Sequence, residues 1–267
     1  MDLKPPRPFY HEFGWAYDLL QTEAVAPRVD FIEAMLSRSG IGPGAQVLDA
    51  GCGTGRYAVE LARRGFRVFG ADRSSELVAV AQSREAADTV KPSFVIANLL
   101  DLSFARPFDA VLCRGVLNDI LDDNGRRTIF RQFASWLSPG GILIFDVREW
   151  TLTRARYTRE PLHRRAVELP DGILRFESET ILDEQSRRLL IHERFEVIRD
   201  GVPSLRENDF AMRAWTLEEV SACLESEGLE EISTHPSYGE SDRSWSDRIV
   251  VIATSVTPRT PARPPIR

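Results

Sequence analysis

The sequence of 267 residues is poor in cysteine and has no long apolar run. Its three cysteines, Cys52, Cys113 and Cys223, have the spacing neither of a disulfide framework nor of a metal site. No stretch of about 18 apolar residues is present that could cross a membrane, and residues 1–6 lack the apolar core of a signal peptide. These absences predict a cytoplasmic protein with no metal and no membrane partner.

An excess of basic residues is also missing. The chain has 34 Lys and Arg against 40 Asp and Glu, a formal net charge of −6. Proteins that act on nucleic acids generally need a basic surface for the phosphates, so we expect no nucleic-acid partner. A hydrophobic content of 43% is enough for one domain with a substantial core and an elaboration.

The most informative segment is residues 47–55, Val-Leu-Asp-Ala-Gly-Cys-Gly-Thr-Gly. A short apolar run leads into a turn that is rich in glycine, and residues 56–64 then have the pattern of a helix that ends at Gly65. Strand, glycine turn and helix in this order bring bare backbone next to a helix N-terminus. The segment therefore predicts a cofactor that carries an adenosine.

Two kinds of cofactor are compatible with this turn. Residues 53–58 also satisfy the G-x-G-x-x-G/A pattern of nicotinamide dinucleotide sites, which leaves an NAD(P)-dependent oxidoreductase open as an alternative. However, Asp49 precedes the first glycine, where a carboxylate would crowd a pyrophosphate but could pair with an ammonium group. Gly51 also makes the turn richer in glycine than the dinucleotide pattern requires.

Four further landmarks follow in order. Residues 66–72 predict a second strand that ends in Asp72, where an acid can accept from both ribose hydroxyls. Residues 94–97 and 108–113 predict the third and fourth strands. A Leu-x-Pro-Gly-Gly turn at 137–141 then precedes an apolar fifth strand.

Together, the Asp-x-Gly-x-Gly-x-Gly motif and these landmarks resemble the class I S-adenosylmethionine-dependent methyltransferases over about residues 40–150. The resemblance implies an α/β fold, a Rossmann-like doubly wound seven-stranded sheet, with S-adenosyl-L-methionine as cofactor and S-adenosyl-L-homocysteine as product. It places the following residues around the cofactor: Asp49, Ala50, Gly51, Cys52, Gly53, Gly55, Asp72, Arg73, Asn98, Leu99, Leu100 and Arg114. Asn98 stands where the family usually has an aspartate, but its amide oxygen can still accept from the adenine amino group.

An aromatic segment precedes the core. Residues 9–20 resemble the N-terminal lid of glycine-type and amino-sugar N-methyltransferases. Electron-rich rings attract cations, which suits a sulfonium, and we expect Tyr17, and secondly Tyr10, to cover the cofactor. The alternative is that these rings only pack the following helix, predicted over residues 24–39, against the core.

The second half of the chain predicts an inserted antiparallel β lid after strand 5. Residues 161–215 contain four β-forming segments separated by turn pairs, and a capping box at 216–219 then opens a helix. This gives a lid at 1–40, a cofactor-binding core at 41–160, the inserted sheet at 161–215, the return of the core at 216–256 and a disordered tail at 257–267. In related small-molecule methyltransferases such an insertion covers the acceptor pocket, and its exposed sheet could support a homodimer.

The acceptor itself is predicted only by class. Residues 114–119 match neither the Asp/Asn-Pro-Pro-aromatic nor the Pro-Cys motif of nucleic-acid methyltransferases, which favours a small molecule. We expect the acceptor pocket to be lined by Tyr17, Asn118, Asp119, Arg148 and Trp150.

Candidate catalytic residues are Tyr17, Asn118 and, as a base, His11, although an amine acceptor needs only to arrive deprotonated. Arg114 and Arg148 could orient an acceptor carboxylate or form salt bridges with neighbouring acids, Asp146, Glu149 or Asp119. Transfer to nitrogen or oxygen stays open. So does a non-catalytic module that only binds the cofactor.

Overall fold

The computed structural model describes residues 7–21, 24–84, 91–239 and 247–256. The predicted disordered tail, 257–267, and the first six residues of the predicted lid lie outside this part of the chain. The described residues form two sheets from the following strands: β1 Gln46–Ala50, β2 Arg67–Asp72, β3 Ser93–Ile96, β4 Phe108–Cys113, β5 Leu137–Arg148, β6 Leu162–Leu169, β7 Gly172–Asp183, β8 Arg188–Arg199, β9 Val202–Arg213, β10 Leu229–His235 and β11 Arg248–Ser255.

The larger sheet has seven strands in the order β3-β2-β1-β4-β5-β11-β10, and β1 to β5 run parallel. β11 is antiparallel to both of its neighbours. The central strands are apolar on both faces because helices cover both sides. Val47 and Leu48 of β1, for example, are fully buried. The predicted Rossmann-like fold is confirmed.

The helices follow the local signals of the sequence. Their bounds are α1 Tyr17–Leu20, α2 Val25–Arg38, α3 Arg56–Arg63, α4 Ser75–Ser83, α5 Asp123–Trp136, α6 Trp150–Arg159 and α7 Leu217–Ser226. The capping box that was expected before α7 is present: the Thr216 side chain accepts from the Glu219 amide, and the Glu219 side chain accepts from the Thr216 amide. Helix α2 matches the predicted 24–39, whereas α6 was not predicted.

The turn predicted at 137–141 does not precede β5 but belongs to it. The register with β4 changes from Phe108 opposite Leu137 to Ala110 opposite Ile142, so the additional residues bulge out of the ladder. Gly140 supplies the left-handed backbone, with φ of 73°, that this bulge requires.

The smaller sheet is the predicted insertion, with the antiparallel order β6-β7-β8-β9. Its inner face and the N-terminal segment share one apolar cluster. The rings of Phe13 and Phe195 stack with centroids 4.5 Å apart, and Phe9 stacks on Phe195 at 5.8 Å. The N-terminal segment and the inserted sheet therefore form a single structure, called the roof below, over one edge of the larger sheet.

The close contact between Gly51, in the glycine turn, and Val116 can be tested by substitution. Gly51 has φ of 81°, and a Cβ there would lie 2.2 Å from a methyl carbon of Val116, whereas Gly40 has φ of 73° with no atom within 4 Å of a Cβ. We expect Gly40→Ala to lower the free energy of unfolding by about 1–2 kcal/mol through backbone strain alone. Gly51→Ala should cost about 2–4 kcal/mol because overpacking adds to the same strain. Urea denaturation of the two variants checks this, and equal losses would contradict the packing described for Gly51.

Candidate cofactor and acceptor site

The glycine turn is held against the end of β2 by Asp72. One carboxylate oxygen of Asp72 accepts from the Gly53 amide and the other from the Ser74 amide, both at 2.9 Å. The amides of Gly51 and Cys52 donate to the Ala71 carbonyl at 2.7 and 3.1 Å. Ala50 and Cys52 are buried beside this turn, so Cys52 acts as a small filler. Hydrogen bonds within the protein therefore fix the conformation of the glycine turn.

Asp49, in β1 just before the turn, is a buried carboxylate that no described group pairs with. It is 3% exposed, and no described side chain donates a hydrogen bond to it. Desolvation by burial raises its pKa to about 6, although Arg114 opposes the shift and Asp72 adds to it. A cation placed here would offset the cost of burying the charge.

Arg114 is the matching cation, directly after β4. Its guanidinium carbon lies 3.0 Å from the centre of the Tyr57 ring, and within the described part of the chain Nε and Nη1 are buried without a hydrogen-bond acceptor. The salt bridge that was considered for Arg114 is not formed with any described acid. Unpaired buried donors of this kind call for a ligand. Asp49 and Arg114 together complement the ammonium and carboxylate groups of an α-amino acid.

Asn98, the predicted adenine contact, is already hydrogen-bonded within its own turn. Asn98 is exposed, its oxygen accepts from the Leu100 amide at 3.3 Å, and its nitrogen donates to Asp101 at 2.7 Å. Leu99 is buried beside it, and Arg73, next to Asp72, is exposed. The local turn thus already orients the Asn98 amide, and its contact with adenine stays a prediction.

Tyr17 lies over the glycine turn. Its neighbour Asp18 accepts from the Thr54 hydroxyl at 2.7 Å, which ties α1 to the turn. Burial raises the pKa of the Tyr17 hydroxyl, and Arg114 and Asp72 both act on it electrostatically. Tyr10 points instead toward the inserted sheet, where its hydroxyl accepts from Arg7 at 2.8 Å. Tyr17 thus lies near the glycine turn, while its contact with the cofactor and its catalytic role both stay predictions.

His11 does not face the same space. Its Nδ1 lies 2.8 Å from the Glu76 carboxylate at the start of α4, where 47% of the Glu76 side chain is exposed. This contact favours a surface role, and nothing in the geometry supports His11 as a base.

Asn118 is fully buried and joins two elements. Its oxygen accepts from the Arg148 amide at 2.9 Å, and its nitrogen donates to the Arg213 carbonyl at 2.9 Å. These bonds connect the end of β5 to the end of β9, so the contacts indicate a positioning role. The predicted contact of Asn118 with substrate stays a prediction.

Asp119, the next residue, is exposed at the end of the short 3-10 turn that follows β4. Desolvation by the surrounding protein raises its pKa. Four arginines oppose that shift, namely Arg7, Arg248, Arg73 and Arg148. The predicted contact of Asp119 with the acceptor stays a prediction.

Arg148 has a partner that sequence reasoning missed. It forms a salt bridge with Asp247, which also accepts from Arg156 at 2.7 Å and from the Thr153 hydroxyl at 3.2 Å. The three acids that were considered from the sequence do not pair with it. Trp150 packs in the apolar cluster beneath the inserted sheet. The predicted roles of Arg148 and Trp150 in binding the acceptor stay predictions.

The roof contributes polar residues that the sequence analysis did not single out. Glu193 of β8 is 1% exposed and accepts from Arg7 Nε at 2.9 Å. Asn208 of β9 lies opposite Glu193, and its Nδ2 is buried without an acceptor among the described residues. The sequence does contain a signal for Glu193: it is an acid at a position of β8 where the alternation places inward-facing, otherwise apolar residues. No comparable signal marks Arg7 or Asn208.

Comparison with known proteins finds methyltransferases. Residues 47–141 match the model of a family described as a methyltransferase domain. A provisionally named methyltransferase from Geobacillus sp. (strain WCH70) is 36% identical over 141 residues, which are 52% of this chain and 57% of the relative. The ubiquinone biosynthesis O-methyltransferase of Xanthomonas campestris pv. campestris (strain B100) is 36% identical over 121 residues, 45% of this chain and 48% of that protein. The chain thus spans about half the length of the curated relatives it matches.

Solved structures extend the likeness of fold to the whole chain. An S-adenosylmethionine-dependent methyltransferase from Clostridium acetobutylicum ATCC 824 is 19% identical with a TM-score of 0.75, over 91% of this chain and 97% of that one. The sugar N-methyltransferase from Streptoalloteichus sp. ATCC 53650 is 18% identical with a TM-score of 0.74, over 89% and 92%. The predicted resemblance to the class I S-adenosylmethionine-dependent methyltransferases is confirmed.

No helix among the described residues is both long and apolar enough to cross a membrane. No group of His, Cys, Asp or Glu in the same part of the chain is arranged to hold a metal ion.

The role of Asn118 can be tested by stability. Asn118→Ala would leave the Arg148 amide without its partner and remove one of the donors to the Arg213 carbonyl, which also accepts from Arg126 at 2.6 Å. We expect a loss of about 1–3 kcal/mol in unfolding free energy. Asn124, exposed in the first turn of α5, provides the control, and Asn124→Ala should change stability by less than about 0.5 kcal/mol. Denaturant unfolding measures both variants. Unchanged stability of Asn118→Ala would contradict the positioning role.

Proposed function

We propose that the protein is an S-adenosylmethionine-dependent methyltransferase that transfers a methyl group to a nitrogen or oxygen of a small-molecule acceptor. The observation that carries the proposal is the pair of opposite charges beside the glycine turn: no described group donates to the buried carboxylate of Asp49, and Nε and Nη1 of Arg114 are buried with no acceptor among the described residues. The names of the similar proteins, an O-methyltransferase of ubiquinone biosynthesis and a sugar N-methyltransferase, support a small-molecule acceptor.

The charges favour this cofactor over a nicotinamide dinucleotide. A pyrophosphate at the glycine turn would face the buried carboxylate of Asp49, a like charge in a desolvated site. An amino acid group would instead place its ammonium near Asp49 and its carboxylate near Arg114. We assign Asp72 to the ribose hydroxyls, because its carboxylate stands at the end of β2 where such an acid binds ribose.

The bound cofactor would supply an electrophilic methyl carbon whose bond to sulfur breaks with the electron pair going to sulfur. The residues of the chain then have three tasks. Asp49, Arg114 and Asp72 hold the donor in one orientation, Tyr17 covers it, and the roof keeps water away from the reacting atoms. Alignment and exclusion of water together account for large accelerations without a strong acid or base.

Binding measurements distinguish the cofactors. We expect calorimetry to show S-adenosylhomocysteine binding at micromolar or lower dissociation constants and no binding of NADH. Asp72→Ala should weaken S-adenosylhomocysteine by about 1.5–3 kcal/mol, because hydrogen bonds to a charged group are lost. Asp209→Ala, on the outer face of the inserted sheet, is the control and should bind normally. Tight binding of NADH would overturn the proposal, and cofactor binding without transfer to any acceptor would indicate a non-catalytic module.

The pKa of Asp49 predicts how binding depends on pH. The pKa is raised to about 6, so part of the apo protein carries a neutral Asp49 below that pH. An ammonium ligand needs the carboxylate, so affinity for S-adenosylhomocysteine should rise as pH increases from about 5 to about 7, with release of a proton near pH 5. For folding of the apo protein the raised pKa of Asp49 acts in the opposite direction: stability falls as pH rises from about 4 to about 6, because the folded state holds the proton that the unfolded state has released.

Asp49→Asn is the variant that tests this assignment. It should bind more weakly and lose the dependence on pH between about 5 and 7. Calorimetry in buffers of different ionisation enthalpy measures both the affinity and the protons released. If Asp49→Asn kept the pH dependence of the wild type, another group would be the one that titrates.

A further inference from the structure

The Arg114 side chain packs against aromatic rings. Its guanidinium carbon lies 3.0 Å from the centre of the Tyr57 ring and 5.4 Å from the centre of the Tyr238 ring. Both distances are within the range over which an aromatic face attracts a cation. Nε and Nη1 of Arg114 are buried with no acceptor among the described residues. Contacts with rings, and not hydrogen bonds from these two atoms, therefore hold the guanidinium in place.

Tyr238 is itself fixed at two points. It is 4% exposed, and its hydroxyl donates to one carboxylate oxygen of Asp146 at 3.0 Å. Its ring meets the ring of Phe31, in α2, edge to face, with centroids 5.9 Å apart and planes at 88°. A ring that is packed against a neighbour and hydrogen-bonded at its hydroxyl has one preferred orientation. That orientation places it beside Arg114.

Asp146 connects Tyr238 to the backbone next to Arg114. Asp146 lies near the end of β5, which pairs with β4 in the sheet, and it is 4% exposed. Its other carboxylate oxygen accepts from the Gly115 amide at 3.0 Å and from the Arg248 side chain. One buried carboxylate thus fixes both the peptide that follows Arg114 and the ring that packs beside its guanidinium.

The sheet topology explains how a residue so far along the chain reaches this place. β11 is antiparallel to both β5 and β10, so β10 runs in the same direction as β5. The chain that follows β10 therefore leaves the sheet at the carboxyl ends of the parallel strands. Ligands of open α/β sheets bind at this edge, where the glycine turn also lies.

From these contacts we infer that Tyr238 is a positioning residue for cofactor binding, which holds the Arg114 guanidinium in the orientation that binds the carboxylate of S-adenosylmethionine. The inference rests on the proposed function and adds a residue to the recognition of the amino acid end. A ring suits this task better than an acid. A guanidinium that packs on a ring face keeps its N–H groups available, whereas an acid would compete with the carboxylate of the ligand.

Two ligands isolate the contribution of that carboxylate. They are S-adenosylhomocysteine and decarboxylated S-adenosylhomocysteine, in which a hydrogen replaces the carboxylate. Calorimetry on the full chain gives both dissociation constants, and their ratio, decarboxylated over intact, is called the carboxylate preference below. For the wild type we expect a carboxylate preference of about 10 to 150, because hydrogen bonds between two charged groups are lost with the carboxylate.

Variants of Tyr238 test whether the ring acts through Arg114. Tyr238→Leu should weaken S-adenosylhomocysteine by about 5- to 30-fold and change the affinity of the decarboxylated ligand by less than about twofold. Tyr238→Phe keeps the ring and should retain most of the carboxylate preference. Arg114→Gln should lower the preference to about one, and Tyr238→Leu added to Arg114→Gln should lower it no further.

Tyr157 provides the matched control. It is half-buried, and its ring centre lies 5.2 Å from the guanidinium carbon of Arg156, within α6. Tyr157→Leu thus also removes a ring from an arginine, and it should leave the carboxylate preference unchanged. Circular dichroism and thermal unfolding check that each variant is folded. If Tyr238→Leu does not fold, Tyr238→Met, which fills more of the space without an aromatic face, replaces it with the same expectations.

The inference is overturned if loss of the Tyr238 ring weakens both ligands by the same factor, as a merely structural role would, or weakens neither. It is also overturned if the wild type binds the two ligands equally well, or if the ring still affects the preference in Arg114→Gln. Failure of the wild type to bind S-adenosylhomocysteine would instead overturn the proposed function, so the two failures can be told apart.

Discussion

The candidate site depends first on the hydrogen bonds that Asp72 makes with the backbone. One carboxylate fixes the turn after β1 through Gly53 and the start of α4 through Ser74. Glycines with positive φ have no side chains to stabilise the turn, so these bonds largely determine its shape. Asp49 of β1 and Arg114, directly after the neighbouring strand β4, lie beside this turn, and burying both charges has a cost that a zwitterionic ligand would offset.

The roof places the second half of the site over the first. Aromatic stacking and the ion pair between Arg7 and Glu193 join the N-terminal segment to β8, while Asn118 joins β9 to the end of β5. The N-terminal segment, the inserted sheet and the end of β5, which are far apart in the sequence, are thus joined by side-chain contacts. In the proposed function, the parallel sheet supplies most of the residues for the donor and the roof covers the acceptor.

Much of the fold could be predicted from the sequence because its signals are local. The glycine turn, the acid at Asp72, the capping box at Thr216 and the alternation of the inserted strands each act over a few residues. Helix α6 was missed because its cap, Glu149, is an uncommon capping residue and its apolar pattern is weak.

Pairings between distant residues could not be predicted. Arg148 pairs with Asp247 only because β11 runs antiparallel beside β5, and this neighbour relation is a property of the whole sheet. Asn208 faces inward because of its register with β8, which fixes the face of every residue on β9. Several of the proposed cofactor residues lie together at 49–55 and share one local signal, whereas the proposed acceptor residues come from several elements.

The ion pair of Arg7 with Glu193 has a consequence for the integrity of the chain. Glu193 sits on the inner face of the inserted sheet with 1% exposure, and its countercharge comes from a residue 186 positions earlier. Without that cation, the ionised carboxylate of Glu193 would be buried next to phenylalanine rings with no countercharge, which would destabilise the fold. The beginning of the described chain is thus a structural member of the inserted sheet rather than an appendage to it.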